Sequence, residues 1–171
     1  MAFGEDGRLY AMTVRDAPLG RIIAIPLDRP LLANAAVVVP EASNVAESVT
    51  ATKSRLYVKY RDGGPSAARM FGLDGKRLGD IPAEPISDIS IGVPLTGDDV
   101  MVHTMSYLSP PTWFRYDAAR DKLVPTQLTS KPSFNFADAT VMRDVAISRD
   151  GTKVPINILY RKGMNRNGRN P

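Results

Sequence analysis

The sequence predicts an all-β chain, a partial β-propeller of about three blades followed by a β-hairpin. Two observations lead to this fold class. The apolar residues form short, strand-like runs separated by turn formers. The same pattern also returns with a period in the mid-forties. The 14 prolines and 13 glycines are scattered along the chain, which excludes long helices.

Seven strands are predicted before the hairpin, and each is an apolar run bounded by turn residues such as the Asp74-Gly75-Lys76 segment. The only helical candidate is Asn44 to Thr50, which is too short to count as a predicted helix. The predicted strands are Arg8 to Val14, Arg21 to Leu27, Ala36 to Val39, Arg55 to Tyr60, Ala67 to Leu73, Val100 to Ser106 and Thr112 to Tyr116.

The repeat is visible in paired residues. Leu9-Tyr10 returns as Leu56-Tyr57 after 47 residues, and a weaker third copy, Met101-Val102, follows 45 residues later. The other repeated pairs are Arg15-Asp16 with Arg61-Asp62, Leu27-Asp28 with Leu73-Asp74, and Tyr116-Asp117 as the third copy of the last. Each unit is therefore strand, turn, strand and a closing Asp.

A unit of this length with about four short strands is typical of a propeller blade, a small twisted antiparallel sheet. Stacking blades around an axis buries both faces of each, so three units imply neighbouring blades. An open sandwich of similar strands is the alternative architecture.

Composition excludes several classes of site and partner. The chain has no cysteine, so disulfides, thiolate nucleophiles and zinc–thiolate sites are absent. The net charge of +4 collects in a tail containing Arg161, Lys162, Arg166 and Arg169, without interleaved aromatics, so nucleic acid is not an expected partner.

No apolar run is long enough to span a membrane. The opening residues do not form a signal peptide, and a cytoplasmic location is favoured, with a periplasmic or secreted one open if a signal lies upstream.

A change of composition marks the predicted domain boundary. We expect blades over 1–128, a connecting segment over 129–140 and a new domain beginning over 141–171. Strands around the Asp150-Gly151 turn form a hairpin there, and each strand has one apolar face: Val145 and Ile147 on the first, and Val154, Ile156 and Ile158 on the second. That face needs a core from elsewhere.

The segment from Ile147 to Gly163, followed by Asn167 to Pro171, resembles the junction in prolyl oligopeptidases where the propeller leads into the α/β-hydrolase domain. The run Met105 to Asp117, with its Ser-Pro-Pro turn and closing Tyr-Asp, is similar to the last-blade segment of that family. Over Met1 to Asp99 the resemblance is only architectural.

The resemblance implies a fragment of a serine-type endopeptidase that cleaves short peptides after proline without any cofactor. This part would be the non-catalytic propeller that restricts access to the active site. Its partners would be the missing blades and hydrolase domain, with short proline-containing peptides as substrates of the complete enzyme. An oligopeptidase B-like enzyme, which prefers basic residues, and a stand-alone propeller-type binding module are the alternatives. The chain on its own is expected to be inactive.

No catalytic, cofactor-binding or metal-binding residue is predicted. Ser66 lacks a complete Gly-x-Ser-x-Gly setting and is interpreted as a turn residue. His103, on the strand face opposite Val102, is interpreted as structural. Asp88, Asp98 and Asp99 lack the alternating oxygens of a calcium loop and are interpreted as solvated turn residues.

Two further groups are assigned to structure. Asp28, Asp74 and Asp117 are expected to accept backbone hydrogen bonds in turns. Alternation places Phe114 and Tyr116 together in the blade core, with Trp113 on the opposite face. Arg15 and Arg61 either line a central tunnel or face solvent as turn residues.

Overall fold

The computed structural model describes residues 1–130, 135–165 and 167–169. It contains three four-stranded antiparallel sheets and one two-stranded hairpin, so the prediction of about three blades and a hairpin is confirmed. No helix in these described ranges is long and apolar enough to cross a bilayer.

The strands follow chain order within every blade. Blade 1 contains β1 (Ala2–Phe3), β2 (Arg8–Thr13), β3 (Arg21–Pro26) and β4 (Ala36–Val39). Blade 2 contains β5 (Val45–Ala51), β6 (Arg55–Arg61), β7 (Ser66–Gly72) and β8 (Arg77–Asp80). Blade 3 contains β9 (Ser87–Pro94), β10 (Val100–Ser106), β11 (Thr112–Asp117) and β12 (Lys122–Thr129). The hairpin pairs β13 (Ala139–Ile147) with β14 (Lys153–Arg161).

The sequence repeat matches the blade geometry. Leu9-Tyr10, Leu56-Tyr57 and Met101-Val102 lie on β2, β6 and β10, the second strand of each blade. All seven predicted strands are present with small shifts at their ends. The helical candidate Asn44 to Thr50 is wrong, because Val45–Ala51 is β5 and pairs with β6. Ala46, Val49 and Ala51 all pack into one apolar cluster, and a register shift between Ala46 and Ser48 turns Ala46 to the same face as the other two.

Blades pack face to face through two apolar layers. The first seam, between blades 1 and 2, buries Tyr10, Ile22, Ala24, Val39, Ala46, Val49, Ala51, Leu56, Val58, Tyr60 and Phe71. The second seam, between blades 2 and 3, buries Tyr57, Ala68, Met70, Ile81, Ile89, Val100, Val102, Tyr116 and Ala118. Successive residues of β6 therefore point into different seams, which explains why apolar residues occur on both faces of this strand.

The first strands of the blades are neighbours, because β5 contacts both β1 and β9. In a propeller the strands nearest the axis converge in this way.

The hairpin turns through Ser148 to Thr152 with Gly151 at a φ of 84°. Its predicted apolar face is largely uncovered, with Val145 50% and Ile147 64% exposed. Lys131 to Phe134 in the connecting segment, together with Arg166, Asn170 and Pro171 in the tail, lie outside the described residues. The predicted domain boundaries stay predictions.

Candidate functional site at the junction of the hairpin with blades 2 and 3

The hairpin is attached to the turn between β6 and β7. Arg143 Nη2 donates a hydrogen bond of 2.5 Å to the carbonyl oxygen of Asp62. Pro155 packs so closely on Gly63 that a Cβ placed there would lie 2.9 Å from Pro155 Cγ. In blade 3, the hydroxyl of Tyr107 accepts a 3.2 Å hydrogen bond from Asn157 Nδ2. The hairpin thus bridges the second seam.

An ionic network crosses the same seam. Lys59 Nζ on β6 donates to Asp88 Oδ1 on β9 at 3.0 Å and to Ser90 Oγ at 3.3 Å. It also lies 3.5 Å from Glu47 Oε2 on β5, and its side chain is only 11% exposed. Removing one partner from a buried ion pair is strongly destabilising, so these contacts of Lys59 tie the three strands together.

Asp88, on β9 of blade 3, accepts hydrogen bonds from two residues of blade 2. Burial opposes its ionisation, but the hydrogen bonds from Lys59 and Ser66 outweigh burial and hold its pKa below its usual value. Asp88 is therefore a charged acceptor at neutral pH. The prediction that it is a solvated turn residue is wrong, because it lies on β9 and bonds across the second seam.

The two repeated arginines have different environments. Arg61 forms a two-pronged ion pair with Glu47 through Nε and Nη2, and it donates through Nη1 to the Gly64 carbonyl. The pair with Glu47 raises the pKa of Arg61. Arg15 is 83% exposed and lies 3.9 Å from Asp16, as the turn interpretation expects.

Ser66 is the first residue of β7 and fastens blade 2 to blade 3. Its Oγ donates to Asp88 Oδ1 at 2.8 Å and accepts from the Ile89 backbone N–H at 2.8 Å. The prediction that Ser66 is a turn residue is wrong, because Ser66 already belongs to β7. Its hydroxyl forms hydrogen bonds across the second seam.

His103 pairs across the sheet with Trp113, and the two ring centroids lie 5.0 Å apart. The predicted alternation is confirmed, because Val102 and Tyr116 on the other face are fully buried and Phe114 packs beside them. No hydrogen bond among the described residues joins His103 to Ser66.

The neighbouring acids Asp98 and Asp99 are structural acceptors. Asp98 accepts from Thr52 Oγ1 at 2.9 Å and from the backbone and hydroxyl of Ser54 at 2.7 and 2.6 Å. Burial raises the pKa of Asp98, but these hydrogen bonds reverse the shift and hold it low. Asp99 accepts from the Ala118 N–H and from Arg115. Within the parts of the chain that the structure describes, no group of three potential metal ligands occurs.

Of the repeated aspartates, two act as expected. Asp74 Oδ1 accepts from the Lys76 N–H at 3.0 Å, and Asp117 Oδ1 accepts from the Arg120 N–H at 3.0 Å. Asp28 differs, because its carboxylate forms an ion pair with Arg29 at 3.7 Å.

Sequence reasoning missed the Lys59 network. The sequence signal that could have revealed this network is Lys59 itself, which stands between the apolar residues Val58 and Tyr60 in a predicted strand. A lysine in a doubly buried strand needs anionic partners.

Comparison with known proteins agrees with this architecture. Residues 3–129 match the prolyl oligopeptidase N-terminal β-propeller domain. The chain is 25% identical over 166 residues to a prolyl endopeptidase of Elizabethkingia meningoseptica, covering 95% of this chain and 23% of the relative. It is 23% identical over 166 residues to the prolyl endopeptidase of Elizabethkingia miricola, with the same coverage of each chain.

Solved structures have the same fold. One from a study of two prolyl endopeptidases and their inter-domain dynamics superposes with a TM-score of 0.79 at 25% identity, covering 94% of this chain and 24% of that chain. Oligopeptidase B from Leishmania major gives a TM-score of 0.73 at 20% identity, covering 93% of this chain and 24% of that chain, which shows the fold alone. The chain spans about a quarter of the length of the relatives it matches. With the family match extending over most of its residues, this chain belongs to the prolyl oligopeptidase family, and residues 3–129 are part of its N-terminal β-propeller domain.

Proposed function

We propose that the chain is the non-catalytic propeller part of a serine endopeptidase of the prolyl oligopeptidase type, with the start of its hydrolase domain attached. The observation that carries this proposal is the hairpin fastened across the second seam through Arg143, Pro155 and Asn157. In the proposed arrangement, blades over 1–128 lead through a connecting segment at 129–140 into the hydrolase domain at 141–171. Its partners are further blades and the remainder of that domain.

The propeller's proposed task is to restrict access to the active site to short proline-containing peptides. Rigidity supports this task, because a filter must keep its shape while peptides pass. Both seams are densely apolar, and the second is further crossed by the Lys59–Asp88 ion pair. The complete enzyme performs acyl transfer through a serine, a histidine and an aspartate that lie outside this chain. The proposal assigns no residue of this chain to the catalytic, cofactor or metal class.

Peptide cleavage by the protein as its cells make it tests the proposal. The purified native protein is assayed with two fluorogenic peptides that differ only in proline or arginine before the scissile bond. We expect the proline peptide to be cleaved faster. Faster cleavage of the arginine peptide would instead favour the oligopeptidase B alternative, and cleavage of neither would contradict peptidase function.

A peptide-length series tests the filter. Peptides of increasing length with the same central proline should lose kcat/KM as they grow, since longer chains fit less well past the blades. Equal rates for short peptides and a folded protein substrate would contradict the filter but not the peptidase.

The binding-module alternative makes a different prediction about the chain alone. A stand-alone module should be monomeric at all concentrations. A part of a larger propeller should associate as concentration rises, because its outer blade faces lack neighbours. Sedimentation velocity over a concentration series separates the two.

A further inference from the structure

The hairpin is docked on a turn that has little rigidity of its own. This docking turn, Asp62 to Pro65, contains Gly63 and Gly64 at positive φ angles of 58° and 138°. Glycine loses more conformational freedom on folding than any other residue, so a turn with two successive glycines is costly to order. A backbone hydrogen bond of 2.9 Å from the Asp62 N–H to the Pro65 carbonyl joins its ends. The rest of its support comes from neighbouring side chains.

Arg61 braces the docking turn from within blade 2. Its Nη1 donates to the Gly64 carbonyl at 3.2 Å, while its Nε and Nη2 are held by the two carboxylate oxygens of Glu47. The guanidinium group is a rigid planar fork, so an acid that fixes two of its nitrogens also fixes the direction of the third. Glu47 therefore decides how Arg61 meets the docking turn.

A β-bulge aims Glu47 at this arginine. On β5, Ala46 and Ser48 pair with the adjacent residues Tyr60 and Lys59 of β6. Glu47 is thus the extra residue of the bulge, without a pairing partner on β6. Bulges redirect single side chains and are common beside functional sites. The redirected carboxylate also lies 3.5 Å from Lys59 Nζ, so one acid on β5 holds two cations of β6.

The hairpin holds the same turn through different atoms. Arg143 Nη2 donates to the Asp62 carbonyl oxygen, and Pro155 lies against Gly63. A Cβ on Gly64 would lie 3.7 Å from Asn157 Nδ2, which is ordinary van der Waals distance. These contacts need the Asp62 carbonyl and the glycine backbone in one fixed orientation. The brace that Arg61 supplies to the turn fixes that orientation.

We propose that Glu47 is a positioning residue for the hairpin: it aims Arg61, Arg61 holds the docking turn, and the docking turn holds β13 and β14 against the blades. The inference rests on the proposed function in taking the hairpin as the start of the hydrolase domain. In the complete enzyme these contacts join β5, which lies among the strands nearest the propeller axis, to the first strands of that domain. Glu47 then orients the hydrolase domain through a turn.

Hydrogen exchange of the hairpin amides in the full chain tests the proposal. A two-stranded hairpin is marginally stable on its own, so the protection of its ladder reports how firmly it is docked. Glu47→Gln keeps the size of the side chain but removes its charge. It should speed exchange across β13 and β14 roughly tenfold, the factor expected for one lost charge-assisted hydrogen bond. The amides of Leu56 and Val58 inside blade 2 should exchange as before.

A second variant and a control locate the effect. Arg61→Lys keeps the positive charge but lacks the fork that reaches Glu47 and Gly64 together, so it should also speed hairpin exchange. This variant keeps the test valid if Glu47→Gln disturbs blade 2 through Lys59. The control Asp80→Asn weakens an ion pair of the same blade, between Arg77 and Asp80 on β8, and should leave hairpin exchange unchanged.

A double variant separates positioning from a general loss of stability. Glu47→Gln and Arg143→Ala act on the same docking turn, so their combined effect on hairpin exchange should be smaller than the product of the two single effects. Independent effects that multiply in full would overturn the proposal.

The proposal is also overturned if Arg61→Lys leaves hairpin exchange unchanged, or if Glu47→Gln speeds exchange inside blade 2 as much as in the hairpin. None of these results depends on peptide cleavage, so their failure would leave the proposed peptidase function intact. Failure of cleavage by the native protein would likewise leave the docking result intact.

Discussion

Tyr57 of blade 2 meets Tyr116 of blade 3 edge to face, with ring centroids 6.0 Å apart and ring planes at 79°. Both side chains are fully buried in the second seam. Tyr57 donates its hydroxyl to the Asp98 carbonyl at 2.5 Å, and Tyr116 donates to Asp121 Oδ1 at 2.6 Å. Burial raises the pKa of Tyr57 to about 12. Each ring therefore joins the apolar layer to a blade-3 loop.

The Tyr57 ring and hydroxyl should contribute separately to stability. Tyr57→Ala removes a buried ring and should lower the free energy of unfolding by about 3–5 kcal/mol. Tyr57→Phe keeps the ring but leaves the Asp98 carbonyl without its donor, for a loss of about 1–3 kcal/mol. Urea unfolding followed by Trp113 fluorescence measures both. Equal losses for the two variants would contradict the packing role of the ring.

The first seam should be sensitive to a single methyl group at Gly75. A Cβ at this position would lie 2.0 Å from the Val38 carbonyl oxygen of blade 1, and the φ of Gly75 is +84°. Gly7 has a similar φ of +74° with nothing within 4 Å of its Cβ position. Gly7→Ala should lower the free energy of unfolding by about 1–2 kcal/mol from backbone strain alone. Gly75→Ala should lower it by more, and equal losses would mean that the blades are not in contact there.

Acid should lower the free energy of unfolding of the chain, because Asp88 and Asp98 become protonated. Both have a folded-state pKa below the usual value, so the unfolded chain binds more protons. Their stabilisation is fully present above the unfolded pKa of about 3.9 and is lost as the pH falls through the lower folded pKa values. Urea unfolding across this range should show a steep fall that Asp88→Asn and Asp98→Asn each make shallower. An unchanged slope in both variants would contradict the assignment.

Arg143 should control how firmly the hairpin is docked. Arg143→Ala removes the hydrogen bond to Asp62, so amide hydrogen exchange should accelerate across β13 and β14 while blade 2 is unaffected. Arg161→Ala is the matched control, because Arg161 pairs with Asp138 at the far end of the hairpin. Equal exchange in the two variants would indicate that the docking does not depend on Arg143.

The blades could be predicted because β-strand alternation and turn chemistry are local. The Leu-Tyr pairs lie on the second strand of blades 1 and 2, where Tyr10 and Tyr57 are buried, and the Leu-Asp pairs directly follow the third strand of the same blades. The strand in the Asn44 to Thr50 segment was not predicted because a register shift between Ala46 and Ser48 interrupts its alternation, and pairing with β6 decided its conformation.

The junction site could not be predicted from sequence. Lys59 and Asp88 are 29 residues apart, and Arg143 and Asp62 are 81 apart, so their contacts depend on how whole blades stack. The positive φ of Ile86 breaks the preference of its residue type, and no sequence rule anticipates it.

We propose that these blades belong to a larger peptidase, and the decisive test is the intact mass of the native protein that carries the Ile147 to Gly163 segment. We predict a mass several times the 18.6 kDa of this chain, as expected when the chain spans 23% of its curated relatives. A native mass near 18.6 kDa would contradict the claim and leave a stand-alone, non-catalytic module.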